Sequence, residues 1–327
     1  MEKPFFIVSP SRSGSTMLRL MLNMHSRLAV PHEMKYFGLA VPEQHLRTWR
    51  TPSISRDRFE SLISAWIHSR SHSFADIGIQ NVLDTAIDRA RTFRDPYESA
   101  MNMWAEHQGK QRWGEKTPNN IFYVDILADM FPNSQFIFLV RDPRAVVRSM
   151  KKSSFFSTNC VINSYNWKAS ISSGVKLLKE NVHDENKLVV RYEDLVQDTE
   201  EVLKRVVSFL GEPFESDMLR FHEIDESLLP QKVRTPNIKK PVDSSTAHKW
   251  KHDLSESEIA IVDWLCSDFM RKFGYSKTDH SPNVQDYLYI LSYTIYWIWK
   301  RSRYEHPHAY TMKHQPPQGM KSLLRLV

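Results

Sequence analysis

Three polar clusters stand directly behind apolar runs, and each holds residues able to grip a charge. Arg12-Ser13-Gly14-Ser15-Thr16 follows Phe5–Val8, Glu115-Lys116-Thr117-Pro118 ends the run from Arg112, and Arg141-Asp142-Pro143-Arg144 follows Gln135–Val140. The first cluster has the make-up of an anion cradle. Gly14 lets backbone come close to a ligand, Arg12 supplies a forked charge, and Ser13, Ser15 and Thr16 supply hydroxyl donors. Met17, Leu18, Leu20, Met21 and Leu22 then follow at helical spacing, so the cradle feeds a helix whose first N–H groups are unpaired and whose dipole is positive there. It is not a Walker A loop, which needs G-x-x-x-x-G-K-[ST]; Ser15 stands where that lysine belongs, and only one glycine is present. The plain alternative is a serine-rich turn with a helix cap. Two candidates for a general base, Glu33 and its neighbour His32, follow another short apolar run at 28–30.

These clusters act together only if the elements between them bring them to one place. Strands are expected at 5–8, 28–30, from 112, at 135–140 and at 187–190, with helices after 15, at 119–130, 143–152 and 161–181, and at Thr199–Leu210 stopping at Gly211. Asp142 suits a helix cap and Pro143 a first helical position. Strands alternating with helices predict an α/β fold, a mostly parallel sheet with helices on both faces. In such sheets ligands lie beyond the carboxyl ends of the strands. Arg12 to Thr16, Glu33, Lys116, Arg141 and Tyr192 all follow strands and should gather on that edge.

Between the second and third strands, residues 42–108 read as helices. Their apolar stripes are Trp49, Phe59, Leu62, Ile63, Trp66 and Ile67; then Ile79, Val82, Leu83 and Ile87; then Tyr97, Met101 and Trp104. These read as core, in an insertion placed to set substrate specificity. Later, residues 235–241 form a basic, proline-broken flap, and Ser255 with Glu258 has capping-box spacing before a helix to about 273. Residues 287–299 carry no charge and many aromatics, followed by Lys300-Arg301-Ser302-Arg303. That run is too short to span a bilayer as a helix. It suits a peripheral membrane contact through 287–303, or packing on the body or on a second subunit. Residues 306–319, rich in His and Pro, are expected to be poorly ordered.

The chain has 327 residues with 44 basic against 38 acidic, a net charge of +6. That mild excess fits an anionic ligand better than a nucleic-acid footprint. Cys160 and Cys266 are too few for a disulfide scaffold, and no Cys/His spacing suggests zinc. No leader-like stretch precedes the first strand, so a cytoplasmic location is expected.

Ser-Arg-Ser-Gly-Ser-Thr after the first strand and LVRDPRAVVRSM, with Ser149 eight residues after Arg141, resemble the sulfotransferases that use 3′-phosphoadenosine-5′-phosphosulfate (PAPS). Glu-Lys-Thr-Pro at 115–118 and Arg-Tyr-Glu-Asp-Leu at 191–195 are also similar to segments of that family. The resemblance covers roughly residues 3–274, with the 42–108 block and the tail outside it. It implies a P-loop-like three-layer fold, with a domain at 1–275 holding a helical insertion at 42–110, then a C-terminal helix and tail at 276–327. By the same resemblance Arg12, Ser13, Gly14, Ser15 and Thr16 hold the 5′-phosphosulfate, and Arg141 and Ser149 grip the 3′-phosphate. Arg148 adds charge there or faces solvent. Tyr192 lies by the nucleoside, and Lys240 belongs to a flap closing over the cofactor or is simply solvated.

Lys116 is expected near the sulfuryl group and Glu33 is the expected general base, with His32 as its rival. The plain alternative for Glu33 is a structural ion pair with Lys35 or Lys116. No metal is required, because positioned cations and N–H groups can stabilise the leaving group. A glycine-rich closing segment of the small-phenol branch is missing, and the tyrosyl-protein branch is secretory. A small-molecule acceptor, specifically a sugar or glycolipid hydroxyl, is therefore expected. The competing classes are a P-loop kinase or NTPase and a non-catalytic nucleotide-binding protein.

Overall fold

Phe5–Val8 forms β1, the central strand of a five-stranded parallel sheet in a computed structural model that describes residues 3–88, 90–223 and 240–301. The order is β2 (Leu28–Ala29), β3 (Arg112–Glu115), β1, β4 (Gln135–Val140) and β5 (Lys187–Arg191). Phe6 is in register with Phe136 on one side and Glu115 on the other, and Leu139 with Val190. Every residue of β1, β3 and β4 is buried, as expected where both faces are covered. Side chains alternate between the faces. Phe6, Val8, Phe136, Phe138 and Val140 belong to one core; Phe5, Ile7, Ile137, Leu139 and Val190 belong to the other.

The helices in chain order are α1 (Ser15–Asn23), α2 (Arg56–Ser69), α3 (Ser71–Phe74), α4 (Ile79–Asp88), α5 (Arg94–His107), α6 (Val124–Met130), α7 (Pro143–Lys151), α8 (Cys160–Asn181), α9 (Tyr192–Gln197), α10 (Thr199–Leu210), α11 (Trp250–Asp253), α12 (Glu256–Lys272) and α13 (Val284–Arg301). Leu18, Leu20 and Leu22 of α1 and Val202, Leu203 and Val206 of α10 fill the Phe5 side. Apart from Trp49, which lies in a turn before α2, the stripes read in 42–108 fall on α2, α4 and α5, and bury Phe59, Ile63, Trp66, Val82, Tyr97 and Met101 in the Phe6 core beside Trp113. The helical block thus shares its core with the sheet.

Two local readings differ from the structure. The single helix expected over 119–130 is a 3₁₀ turn, Pro118–Phe122, followed by α6, because Tyr123 (φ −126°, ψ 20°) breaks it. The segment after β5 winds into α9. Arg148, read as facing the 3′-phosphate or solvent, is ion-paired with Asp253, which Lys152 also contacts at 2.6 Å. The capping box of Ser255 and Glu258 is formed.

The aromatic stretch lies in α13, which starts through reciprocal 3.0 Å bonds between Asn283 and Asp286. One face packs on the body: Ile290, Tyr293 and Tyr296 are buried, the Tyr289 hydroxyl accepts from Asn159 at 2.6 Å, and Tyr165 meets Thr294 at 2.7 Å. Leu291, Ile295 and Ile298 on the other face are 56, 60 and 58 % exposed. Among the described residues no helix is long and apolar enough to cross a membrane. Cys160 and Cys266 are buried free thiols. The tail expected to be poorly ordered lies outside the described residues.

The sheet has no spare room at Gly114 in β3, where an added Cβ would overlap the Phe5 ring. Gly114→Ala should cost about 1–3 kcal/mol through overpacking. Urea unfolding checks this, and a wild-type midpoint would show that the strand can shift without penalty.

Candidate active site

The chain leaves β1 through Ser9-Pro10-Ser11 and turns into α1 by two left-handed residues, Arg12 (φ 70°) and Gly14 (φ 93°). A non-glycine residue in that region is uncommon and marks a constrained turn. Gly14 caps α1 without a side chain, and the first turn contains no acid. The first-turn N–H groups are therefore available to an anion from outside. Gly14 also lies against the Tyr192 ring, which a Cβ would overlap. The Ser9 and Ser13 hydroxyls are buried with no partner among the described residues.

Residues far apart in sequence close around this turn. Arg12 Nε donates to Ser149 Oγ at 3.1 Å. Arg141 Nη1 donates to the Arg12 carbonyl at 3.2 Å and Nη2 to the Thr246 carbonyl at 2.9 Å. The Arg141 guanidinium stacks 3.9 Å from the Tyr192 ring centre, and the Tyr192 hydroxyl meets Thr246 Oγ1 at 2.7 Å. Arg141 Nε is buried and unpartnered among the described residues. Two cations from two loops thus converge on α1, and burial and Arg141 together lower the Arg12 guanidinium from its ordinary value. Asp142 fixes the second loop by capping α7, accepting from Arg144 N at 2.8 Å. The Arg144 side chain bridges Asp142 at 2.7 Å and Asp263 at 3.2 Å and stacks on Trp250. Lys240 is exposed at the start of the segment leading to Thr246.

The acid–base candidates lie alongside. Lys116 Nζ, 1 % exposed, donates to Glu33 Oε1 at 2.6 Å and lies 3.4 Å from Thr16 Oγ1. Lys35 is 4.0 Å from the other Glu33 oxygen. The ion pair with Lys116, the plain alternative for Glu33, is therefore formed, and it joins Glu33 to the first turn of α1. Burial alone would raise the Glu33 carboxyl, but Lys116, His32 and Lys35 outweigh it and bring it to about 2. His32 is pushed down to about 3, chiefly by burial, so its imidazole is neutral near pH 7. Its ring packs edge-on against His72, and Nδ1 has no partner among the described residues.

The backbone at 33–35 is clamped from three sides. Arg70 Nη1 donates to the Glu33 carbonyl at 3.1 Å, and Trp66 Nε1 to the Met34 carbonyl at 2.9 Å. Met34 N donates to Glu115 Oε1 at 3.2 Å, and Lys35 N to Thr117 Oγ1 at 3.1 Å. Thr117 Oγ1 in turn donates to Glu115 Oε1 at 2.5 Å, while Asn120 donates to Glu115 Oε2. The Glu115 carboxyl is completely buried; burial pushes it up to about 7 against the pull of these donors. The sequence reading did not single out Thr246, Arg70 or Glu115 as site residues, and took Trp66 for core alone. The Glu115 position next to Lys116 was the one signal available for it.

The family model for the sulfotransferase family matches residues 4–216. Protein-tyrosine sulfotransferase A of Caenorhabditis elegans is 26 % identical over 293 residues, 86 % of this chain and 69 % of that protein. Nodulation protein NoeE of Sinorhizobium fredii is 23 % identical over 302 residues, 84 % of this chain and 66 % of that protein. The sulfotransferase domain of the Synechococcus PCC 7002 olefin synthase superposes with a TM-score of 0.61 at 25 % identity, covering 84 % of this chain and 95 % of that one. The sulfotransferase domain of the curacin pathway gives 0.58 at 23 %, covering 85 % and 99 %. With its parallel sheet and its cradle at the start of α1, the chain belongs to the sulfotransferase family and is a PAPS-dependent enzyme of that family.

Proposed function

We propose that the protein moves the sulfuryl group of PAPS to a hydroxyl of a sugar or glycolipid, with Glu33 as general base. The observation that carries this is the convergence of Arg12, Arg141 and the Lys116–Glu33 pair on the first turn of α1. The uncapped helix start, and the Ser13 hydroxyl and Arg141 Nε that have no partner among the described residues, fit a ligand with anions at two points. Residues 12–16 would hold its 5′ end and Arg141 with Ser149 its 3′-phosphate. Tyr192 would lie by the nucleoside, with Lys240 on the closing flap. Bound there, PAPS supplies an electrophilic sulfuryl group on a phosphate leaving group. Lys116 supplies positive charge next to Thr16, where negative charge grows as that leaving group departs. Glu33, ionised throughout the neutral range, takes the acceptor proton. A protein-tyrosine acceptor is the second reading, favoured by the similarity to the Caenorhabditis enzyme.

Glu33 is ionised well below neutrality, so it cannot set a pH limb there. Glu115 can. Losing its proton near pH 7 turns it into an acceptor for Met34, Thr117 and Asn120, which fixes the strap bearing Glu33. The stability signs oppose each other. The Glu115 proton favours the folded state, and that contribution fades as pH rises from about 4.5 to about 7. The Glu33 contribution is present at neutral pH and fades as pH falls from about 4.5 to about 2.

The reading is tested by incubating labelled PAPS with sugar and glycolipid acceptors and with tyrosine peptides. Label should pass to the sugar or glycolipid, and 3′,5′-adenosine bisphosphate should raise the melting temperature without Mg²⁺; stabilisation by Mg²⁺–ATP alone would favour a kinase instead. kcat should rise with pH through about 7. Glu115→Gln should lower it about tenfold or more and erase that limb, since an amide cannot accept from all three donors. A limb surviving in that variant would assign it elsewhere. Finally, the exposed Leu291, Ile295 and Ile298 stripe, followed in sequence by the basic cluster from Lys300, suits an anionic lipid surface. Ile295→Lys should abolish co-sedimentation with phosphatidylserine vesicles; if the wild type does not sediment, the membrane contact is wrong.

A further inference from the structure

α1 carries a second arginine, Arg19, which is 3 % exposed. Its Nη1 donates to the Val30 carbonyl at 3.1 Å. Nε and Nη2 are buried and have no partner among the described residues. Burial lowers this guanidinium only to about 10, so it remains charged at neutral pH. A buried charged group with two idle donors is expensive unless something binds it.

The position of those donors suggests what binds. Side chains on a helix lean toward its N-terminus. Arg19 follows Ser15 by four residues and Thr16 by three, so its guanidinium lies over the first turn of α1. Electrostatically it is coupled to Glu33, His32 and Lys116. It therefore stands on the side of the cradle that faces Lys116 and Glu33. The bond to Val30 occupies one corner of the guanidinium and leaves the Nε–Nη2 edge whole. That edge offers two parallel N–H groups, the spacing that matches two oxygens of a tetrahedral oxyanion.

We propose that the free edge of Arg19 binds two oxygens of the sulfuryl group and orients it toward the acceptor. This rests on the sulfotransferase reading above. Arg19 would then be a substrate-contacting residue, with its Val30 bond fixing the angle of the fork.

The test compares two nucleotides that differ by the sulfuryl group. Affinities for PAPS and for 3′,5′-adenosine bisphosphate are measured by calorimetry on wild type, Arg19→Lys and Arg19→Gln, together with melting temperature and transfer rate. Lysine keeps the charge and can still reach Val30, but has no forked edge. Arg19→Lys should weaken PAPS about tenfold, as expected for lost charge-assisted bonds. The bisphosphate should bind within about twofold of wild type, and kcat should fall about a hundredfold or more. Equal weakening of both nucleotides, unimpaired transfer by both variants, or loss of the folded state in both would overturn the proposal and leave Arg19 a structural strut. A wild type that binds neither nucleotide would instead remove the sulfotransferase reading, and this inference with it.

Discussion

The ammonium of Lys116 has almost no access to water, and the Glu33 carboxylate is its close counter-charge. A buried ion pair gives little net stability, but taking away one member leaves an uncompensated charge and is strongly destabilising. The site is built around that constraint. Lys116 comes from the end of β3 and Glu33 from the strap after β2, so their contact ties two neighbouring strand ends together. Its reach to Thr16 adds β1 through α1. One ammonium thereby sets the distance between the cradle and the acid. It also explains why Glu33 is so acidic: its partial burial would favour the neutral form, and three nearby groups reverse that.

Beyond this pair the charges do not balance. Arg12, Arg19 and Arg141 add three guanidiniums to the same sheet edge, and among the described residues none of them has a carboxylate as its hydrogen-bond partner. They donate instead to a serine hydroxyl and to backbone carbonyls. Compare Arg144 one turn away, which has Asp142 and Asp263 and is a closed structural unit. Arg148 is likewise closed by Asp253. The difference separates cations that hold the fold from cations that await a ligand. Arg19 and Arg141 each keep buried N–H groups with no partner among the described residues, which fits an anionic ligand at this edge.

How much of this was legible in the sequence follows from the range of each interaction. The cradle could be read because its chemistry is local: glycine, hydroxyls and arginine within a few residues, behind a strand and before a helix. Arg141 and Ser149 could be read because they lie eight residues apart, one just before α7 and one in its last turn. The strand order follows less directly, yet the rule that ligands sit at carboxyl ends was enough to place Glu33, Lys116 and Tyr192 together. Apart from the Glu33–Lys116 pair, what escaped were contacts held across long separations. The Thr246 carbonyl meets Arg141 across about a hundred residues, and Trp66 looked like any other core aromatic until its indole N–H reached the Met34 carbonyl. The break at Tyr123 escaped for a different reason. The pattern over 119–130 is compatible with a helix, but Asn120 is committed to the Glu115 carboxylate, and the first turn tightens to 3₁₀.

Those long-range bonds change what the helical block between β2 and β3 is for. Its stripes bury against the sheet, which core packing alone would explain. Yet Trp66 and Arg70 spend their polar ends on the carbonyls of Met34 and Glu33, the two residues at the acid. A carbonyl has a second lone pair, and a buried indole N–H must find a partner somewhere; here both needs are met at the strap that carries Glu33. Glu115 and Thr117 hold the N–H groups of the same strap from the sheet side. The backbone of residues 33–35 is therefore clamped between α2 and β3. Any change in the packing of α2 must be felt at Glu33, so the insertion also fixes the backbone that carries the proposed base.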